Sequence, residues 1–498
     1  MPTYPGQTRY TRRRALQLAG LGLVTAAAGA AGLAWTTTHR PDPATTPDDS
    51  SPASSTESFV EPAVLRSSDP ILDVTLTAAA FTGQIAGRAA TTLRYNDGLP
   101  GPTLRCRPGD TLRVTLVNSL TEPTNLHVHG LQVSPQGNGD NPFVMIEPGQ
   151  SFRYQYSIPA DHPPGTFWYH PHHHGLVADQ VFAGLYGAIV IDDPNPIPVT
   201  ADRVLLVSDI TLDPAGAVAG VTAMQRQQGR EGDLVLVNGQ RQPQLTSPPG
   251  GRERWRLINA CTSRYLRLRL DGQNLTVLGI DLPTAAPAPA AEVLLAPGNR
   301  ADLLVTTRAG VSTLTALPVD RGAAMMARSR MGMGGSAPSD TPVVLATLTV
   351  QGPDAPEPAA IPARPSGRDL RDARASHTRT VTLAMTMGMG TGALTLDGRA
   401  FDPARTDQAV AAGDVEEWTF TNTSTMDHPL HLHVWPMQLL STGGIPETGV
   451  TWRDVVNVPA GSSTVVRIAF DRHTGRSMYH CHILDHEDLG MMAILQVA

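Results

Sequence analysis

Three stretches of this chain repeat one another, and the repeat limits sharply what the chain can fold into. Pro108-Gly109-Asp110 leads through Leu112, Val114 and Leu116 to Asn118; Pro249-Gly250-Gly251 leads through Trp255 to Asn259; Ala412-Gly413-Asp414 leads through Trp418 to Asn422. In the first copy Arg113 and Thr115 alternate with the apolar residues, as in a strand with one buried face. From about Pro70 onward such short segments recur between Gly, Pro and Asn, without a sustained helical period. The expected fold class is all-β, one Greek-key β-sandwich occurring three times. A length of 498 residues fits three domains of roughly 150 residues each. The boundaries read from the repeat are 66–197, 198–352 and 377–498, with a Pro-, Ala-, Arg- and Asp-rich linker over 353–376.

Nine and eleven residues beyond the shared asparagine stand His127 and His129 in the first copy, Leu268 and Leu270 in the second, and His431 and His433 in the third. The middle copy has lost these imidazoles. No histidine occurs between His174 and His377, so the middle domain is expected to bind no imidazole-held metal and to act as a spacer.

The outer copies share a second motif. Tyr169-His170-Pro171-His172 corresponds to Tyr479-His480-Cys481-His482, and His486 and Met491 follow the cysteine. In an extended chain side chains alternate, so His480 and His482 face one way and Cys481 the other. One strand can then serve two metal centres. A thiolate, a pair of imidazoles and a weak axial thioether are the donors of a blue-copper site, and His428, Cys481, His486 and Met491 are the candidates for it. The histidines on the opposite face need a second cluster, which His127, His129, His170, His172, His431 and His433 supply together with His480 and His482. One His-x-His pair alone reads as a solvated or core pair; four in register with Cys481 make a chance origin improbable. The first domain has Thr124 where the third has His428, Pro171 for Cys481 and Leu176 for His486, so it shares the histidine cluster but cannot build the blue-copper site.

Four motifs, His-Val-His-Gly from 127, Trp-Tyr-His-Pro-His from 168, His-Pro-Leu-His-Leu-His from 428 and the stretch around Cys481, closely resemble those of the multicopper oxidases, the laccase-like family. The resemblance implies cupredoxin-like domains and four coppers per chain: a type-1 copper at His428, Cys481, His486 and Met491, a type-2 copper at His127 and His431, and a type-3 pair at the other six histidines. It also implies that a reducing substrate, a phenol or aromatic amine, gives single electrons to the type-1 copper. These pass through Cys481 and its flanking histidines, and four of them reduce O2 to two waters. Protons must be delivered as well. Asp140 and Glu487 stand where members of the family place acids; a surface ion pair or loop cap is the other reading of each. Asp485 and Asp488 read as solvated or hydrogen-bonded, His173 and His174 as non-ligands, and His39, His162, His377 and His473 as surface or loop residues.

The reductant is less well specified. Met325, Met326, Met331 and Met333 lie in a Gly/Ser-rich loop, Met385, Met387 and Met389 follow Val381-Thr382-Leu383, and thioethers suit Cu(I). Met426 and Asp427 match in part the acid and methionine that cuprous oxidases of the family carry before His-Pro-x-His, but the longer Met-rich insertion of those enzymes is absent. Cuprous oxidation is therefore the alternative reading, and a copper carrier without oxidase activity a further one. A two-domain copper nitrite reductase would not need the third repeat. The edge that meets the reductant is expected around Met426 to Leu430, Trp435 and Asp454.

Arg12-Arg13-Arg14 before an apolar run reads as a twin-arginine export signal over 1–34, with a retained anchor as the other reading. Export implies a periplasmic, cell-surface or secreted protein. Residues 35–65, rich in Pro, Thr, Ser and Asp, read as a disordered linker. A net charge of -7 and no long basic run past the N-terminus argue against nucleic acid as a partner. The expected partners are O2 and a small reductant, and the expected state is a monomer. Three cysteines rule out a disulfide scaffold; Cys106 and Cys261 read as small buried hydrophobes, a disulfide between them being the other reading.

Overall fold

The computed structural model describes residues 57–322, 341–364, 367–386 and 393–498. The stretch expected to be an export signal, most of the expected linker after it, and Met325, Met326, Met331, Met333, Met387 and Met389 lie outside the described residues. Among the described residues the strands form six sheets, two in each of three cupredoxin-like domains. In the first domain Thr111–Asn118 sits between Ile71–Ile85 and Ser151–Ser157; in the third Val415–Asn422 sits between His377–Met385 and Ser463–Ala469. Both central strands alternate half-buried with fully buried residues, as the period of two requires for a sheet with one face on a core. The equivalent Arg252–Asn259 is buried from its second residue on. Its outward Arg254 and Arg256 are paired with Asp302 and Asp202 and also reach Asp193 and Thr166 of the first domain, so this face of the middle domain lies against a neighbouring domain instead of water.

The repeat has a physical cause in its asparagine. Asn118, Asn259 and Asn422 are almost completely buried, and each accepts from the amide two residues on, of Leu120, Cys261 and Ser424. Each also donates its side-chain amide to two carbonyls: Glu122 and Ile146, Arg264 and Leu295, Met426 and Val458. A buried amide side chain must satisfy its donors and acceptor. Here it does so by turning the chain from one sheet of the sandwich into the strand of the other that carries the histidines, or in the middle domain the leucines. Leu268 and Leu270 fill the core of the middle domain.

The disulfide reading is not borne out. Cys106 and Cys261 are free and lie in the separate cores of the first and second domains. Residues 57–65, read from composition as the end of a disordered linker, are placed by backbone bonds. The Phe59 amide donates to the Gln244 carbonyl at 2.8 Å, and Val64–Arg66 runs parallel to Thr103–Arg105. Val60 and Val64 stay exposed; the segment joins a sheet edge through backbone bonds, which composition does not reveal. The described part of the 353–376 connection is laid on the domains, with Arg364 donating to the Leu278 carbonyl and the Leu370 amide to Gln438 Oε1.

Candidate metal centre

The strand Gly475–Cys481 runs antiparallel to His428–Leu432, placing His480 opposite His431 and Cys481 opposite Leu430. The alternation expected of this strand is present. Cys481 turns into the core of the third domain, and its Sγ lies 3.5 Å from His428 Nδ1 and 3.7 Å from His486 Nδ1, which are 3.3 Å apart. All three residues are fully buried. The outer nitrogens are already engaged: His428 Nε2 lies 2.8 Å from Ser424 Oγ, and His486 Nε2 donates to the Gln227 carbonyl at 3.0 Å. That leaves each Nδ1 free for a metal. Burial pushes the Cys481 thiol up, against one amide bond from Ile483, so a cation beside it is what would keep it a thiolate. Met491 is buried in the same core; its amide donates to the His486 carbonyl and its carbonyl accepts from Cys481. The short helix Leu484–Asp488 thus brings Met491 back beside both.

The eight other histidines converge between the first and third domains. His127 pairs with His170 across Gly165–His170 in the first domain, as His431 pairs with His480 in the third. His127 Nε2 is 3.4 Å from His431 Nε2, and His480 Nε2 is 3.1 Å from those of His172 and His433. Rings stack between the domains, His127 on His433 and His129 on His431, each at 3.8 Å. Burial, then the neighbouring imidazoles, hold His127 and His433 well below the usual histidine pKa, so both are neutral at physiological pH. Neutral imidazoles whose lone pairs face one another at these distances repel unless a cation lies between them. His129 Nδ1, His170 Nε2 and both ring nitrogens of His482 are buried without any hydrogen bond. Imidazole nitrogens here, and imidazole with thiolate at Cys481, are donors that suit copper. Gly298 of the middle domain lies under the His482 ring at φ +85°, where a Cβ would come 2.9 Å from the ring atoms.

Both acids singled out in the sequence border this cluster. Asp140 has its two oxygens 3.0 Å from His127 Nδ1 and accepts from the Val128 amide; burial pushes it up to about 8. Glu487 has Oε2 3.0 Å from His480 Nδ1 and Oε1 3.3 Å from His172 Nε2. The first is proximity without a bond, since His480 Nδ1 donates to the Cys481 carbonyl, and both Glu487 oxygens are buried with no donor. Burial pushes Glu487 up to about 7. Asp488 is half-buried and hydrogen-bonded; it accepts the amides of Gly175, Val177 and Ala178 and so ties the third domain to the first. Asp485 is fully buried in an ion pair with Arg230 of the middle domain.

Asp454 departs from its expected place. It faces the histidine cluster, with Oδ1 3.0 Å from His129 Nε2 and a bidentate pair to Arg300, and not the reductant edge. Trp435 is buried against Phe470 and offers no edge either. His162 is buried too, its Nε2 accepting from the Gln132 amide. Sequence reasoning missed Arg300, Gln227 and Ser424. Arg300 and Gln227 act on residues 154 and 259 positions away and leave no motif, and Ser424, four residues before His428, is a lone serine with no signal of its own.

Family models described as multicopper oxidase match residues 77–196, 201–315 and 374–498. The multicopper oxidase mco of Staphylococcus haemolyticus is 29% identical over 421 residues, covering 82% of this chain and 84% of its own length. A laccase of Bacillus subtilis is 26% identical, covering 81% and 89%. The structure of a Campylobacter jejuni multicopper oxidase, described as a metallo-oxidase, superposes with a TM-score of 0.75 at 29% identity, over 89% of this chain and 95% of that one. With three matched domains and two buried donor sets suited to copper, the chain belongs to the multicopper oxidases, copper-dependent oxidoreductases.

Proposed function

We propose that this oxidase is laccase-like: it takes single electrons from a phenol or aromatic amine and uses four of them to reduce O2 to water. The observation that carries the reading is the shared strand, with Cys481 Sγ among His428 and His486 on one face and His480 and His482 in the histidine cluster on the other. In this reading His428, Cys481, His486 and Met491 would hold a type-1 copper, His127 and His431 a type-2 copper, and His129, His170, His172, His433, His480 and His482 a type-3 pair, four coppers in all. Copper held at the two places would supply one-electron chemistry at the cysteine and the binding and reduction of dioxygen among the histidines. The chain's own part is to hold the donors, to link the two places through the Cys481 backbone, and to exclude water, every ligand side chain being buried. Asp140 and Glu487 are within reach of ligand imidazoles and would hold the protons that oxygen reduction consumes.

The cuprous alternative draws support from the metallo-oxidase among the similar structures. Against it, Met426 is fully buried, and Asp427 accepts from Asn457 and from the Ala460 amide, so neither is disposed to receive Cu(I). Export by the twin-arginine route, an extracytoplasmic location and a monomeric state complete the reading. Oxygen uptake by the copper-loaded protein, measured with a phenol, an aromatic amine and Cu(I) as donors, tests it. Uptake with Cu(I) alone would replace the laccase-like reading, and copper bound without uptake from any donor would leave a carrier.

A further inference from the structure

The middle domain holds no histidine ligand, yet the end of its loop at Gly298-Asn299-Arg300 reaches the cluster. Arg300 is 1% exposed and grips Asp454 of the third domain with two bonds of 2.6 Å, Nη1 to Oδ1 and Nη2 to Oδ2. Its Nε donates to the Thr166 carbonyl of the first domain, and Asp281 lies 3.3 Å from Nη1. Asp454 in turn touches two proposed ligands in two ways. Its Oδ1 takes the Nε2 side of His129 at 3.0 Å, and its backbone carbonyl takes the Nδ1 side of His431 at 2.8 Å. The nitrogen left over is therefore opposite in the two stacked rings: Nδ1 in His129, which is buried and unpartnered, and Nε2 in His431, which faces His127 Nε2. Which imidazole nitrogen meets a metal is set by the bond the other one makes.

We propose that Arg300, acting through Asp454, is a positioning residue that fixes opposite tautomers in His129 and His431, so that the copper-free middle domain orients ligands held by the outer two. The role rests on the oxidase reading of the cluster. An interdomain ion pair for stability alone would not need this arrangement: a buried pair is weak support for stability, and a lone bridge would not have to present two faces to two rings. The grip requires a guanidinium, since an ammonium cannot make the paired bonds. It also requires Gly130 beside it, where a Cβ would stand 2.6 Å from Arg300 Nη2 and 2.8 Å from Asp454 Oδ2.

The test compares the parent with Arg300→Met, Arg300→Lys and Asp454→Asn, each full-length and copper-loaded. Three quantities are read: copper retained against a chelator, the paramagnetic resonance spectrum of the type-2 copper, and the blue absorption of the cysteine site as an internal control. The expected result is a roughly 10–100-fold loss of copper affinity in the cluster, with blue absorption unchanged, in Arg300→Met and Asp454→Asn, and an altered type-2 spectrum in Arg300→Met alone, where the backbone carbonyl that holds His431 loses its anchor as well. Arg300→Lys keeps the charge without the fork and falls between. Parent-like copper retention in Asp454→Asn overturns the proposal. If Arg300→Met also loses the blue band it has lost its fold, and Asp454→Asn, of nearly the same size and with its backbone carbonyl intact, decides alone. A parent without any type-2 signal would count against the oxidase reading and, since the role rests on it, against this role as well; a parent with the signal isolates the role of Arg300.

Discussion

Both carboxylate oxygens of Asp140 lie 3.0 Å from Nδ1 of His127. The pair is buried, so the carboxylate fixes which nitrogen His127 offers to the cluster and, under the proposed function, would store a proton one bond from it. Asp140→Asn keeps the size and removes the titratable group. Under the proposed function, oxygen uptake falls by about 10²–10⁴-fold, the range of general acid–base contributions. Anaerobic bleaching of the blue band by the reductant stays as fast as in the parent, because Asp140 is not at the cysteine site. Uptake within a factor of about 2 of the parent would assign Asp140 a structural part only.

Cys481→Ser tests the division of donors between the two faces of one strand. A hydroxyl is a poor substitute for a soft thiolate, and burial makes it harder to ionise. The blue absorption and turnover should vanish, while the eight-histidine cluster keeps its copper by metal analysis and retains its type-2 resonance. Blue colour surviving in the variant would refute the assignment of Cys481.

Asp485 tests how the middle domain is fastened to the third. Arg230 is 5% exposed at its side chain, and Asp485, fully buried, is bonded to its Nε, its Nη2 and its backbone amide. Removing one member of a buried pair costs about 3–5 kcal/mol because the other stays desolvated. Asp179 still lies 2.6 Å from Arg230 Nη1, which places Asp485→Ala at the low end, about 3 kcal/mol. Urea unfolding of the copper-free variant should begin earlier by that amount. An unchanged first transition would show that Asp179 suffices.

The sequence made most of the metal centre legible because its signal is local. His-x-His in a strand carries its own geometry, and the spacing from Asn118 and Asn422 to the histidines is held by a buried side chain that repeats its bonds in each domain. Residues that act across domains carry no such mark. Arg300 is one of many arginines, and its partner Asp454 stands 154 positions away; nothing local separates it from an arginine on the surface. Gln227 acts through its carbonyl, which any residue has. Asp454 sits at the bend between the strands Ile445–Arg453 and Val455–Val458, near the third domain's ligands, and only its side-chain direction decides which donor set it faces. The middle domain accordingly looked like a spacer, although Gly298 and Arg300 touch the cluster or its partners.

Met491 and Met492 are adjacent and both fully buried, so burial does not separate an axial ligand from a core residue. Their backbones do. Met492 begins the strand Met492–Val497 and pairs with His480. Met491 precedes that strand, bonded by its amide to the His486 carbonyl and by its carbonyl to the Cys481 amide, and so belongs to the turn that holds two other donors. A thioether at the axial position donates weakly, and the axial ligand is one lever on the potential of such a site. Replacing it with a side chain that cannot donate favours Cu(I) and raises the potential. Met491→Leu is close in volume and should cost under about 1.5 kcal/mol of stability. The expected variant is folded and blue, with a more positive type-1 potential and altered turnover of poor reductants. Met492→Leu, the neighbouring control, should leave the potential where it was. A redox titration in which Met492→Leu moves the potential and Met491→Leu does not would transfer the axial role by one residue.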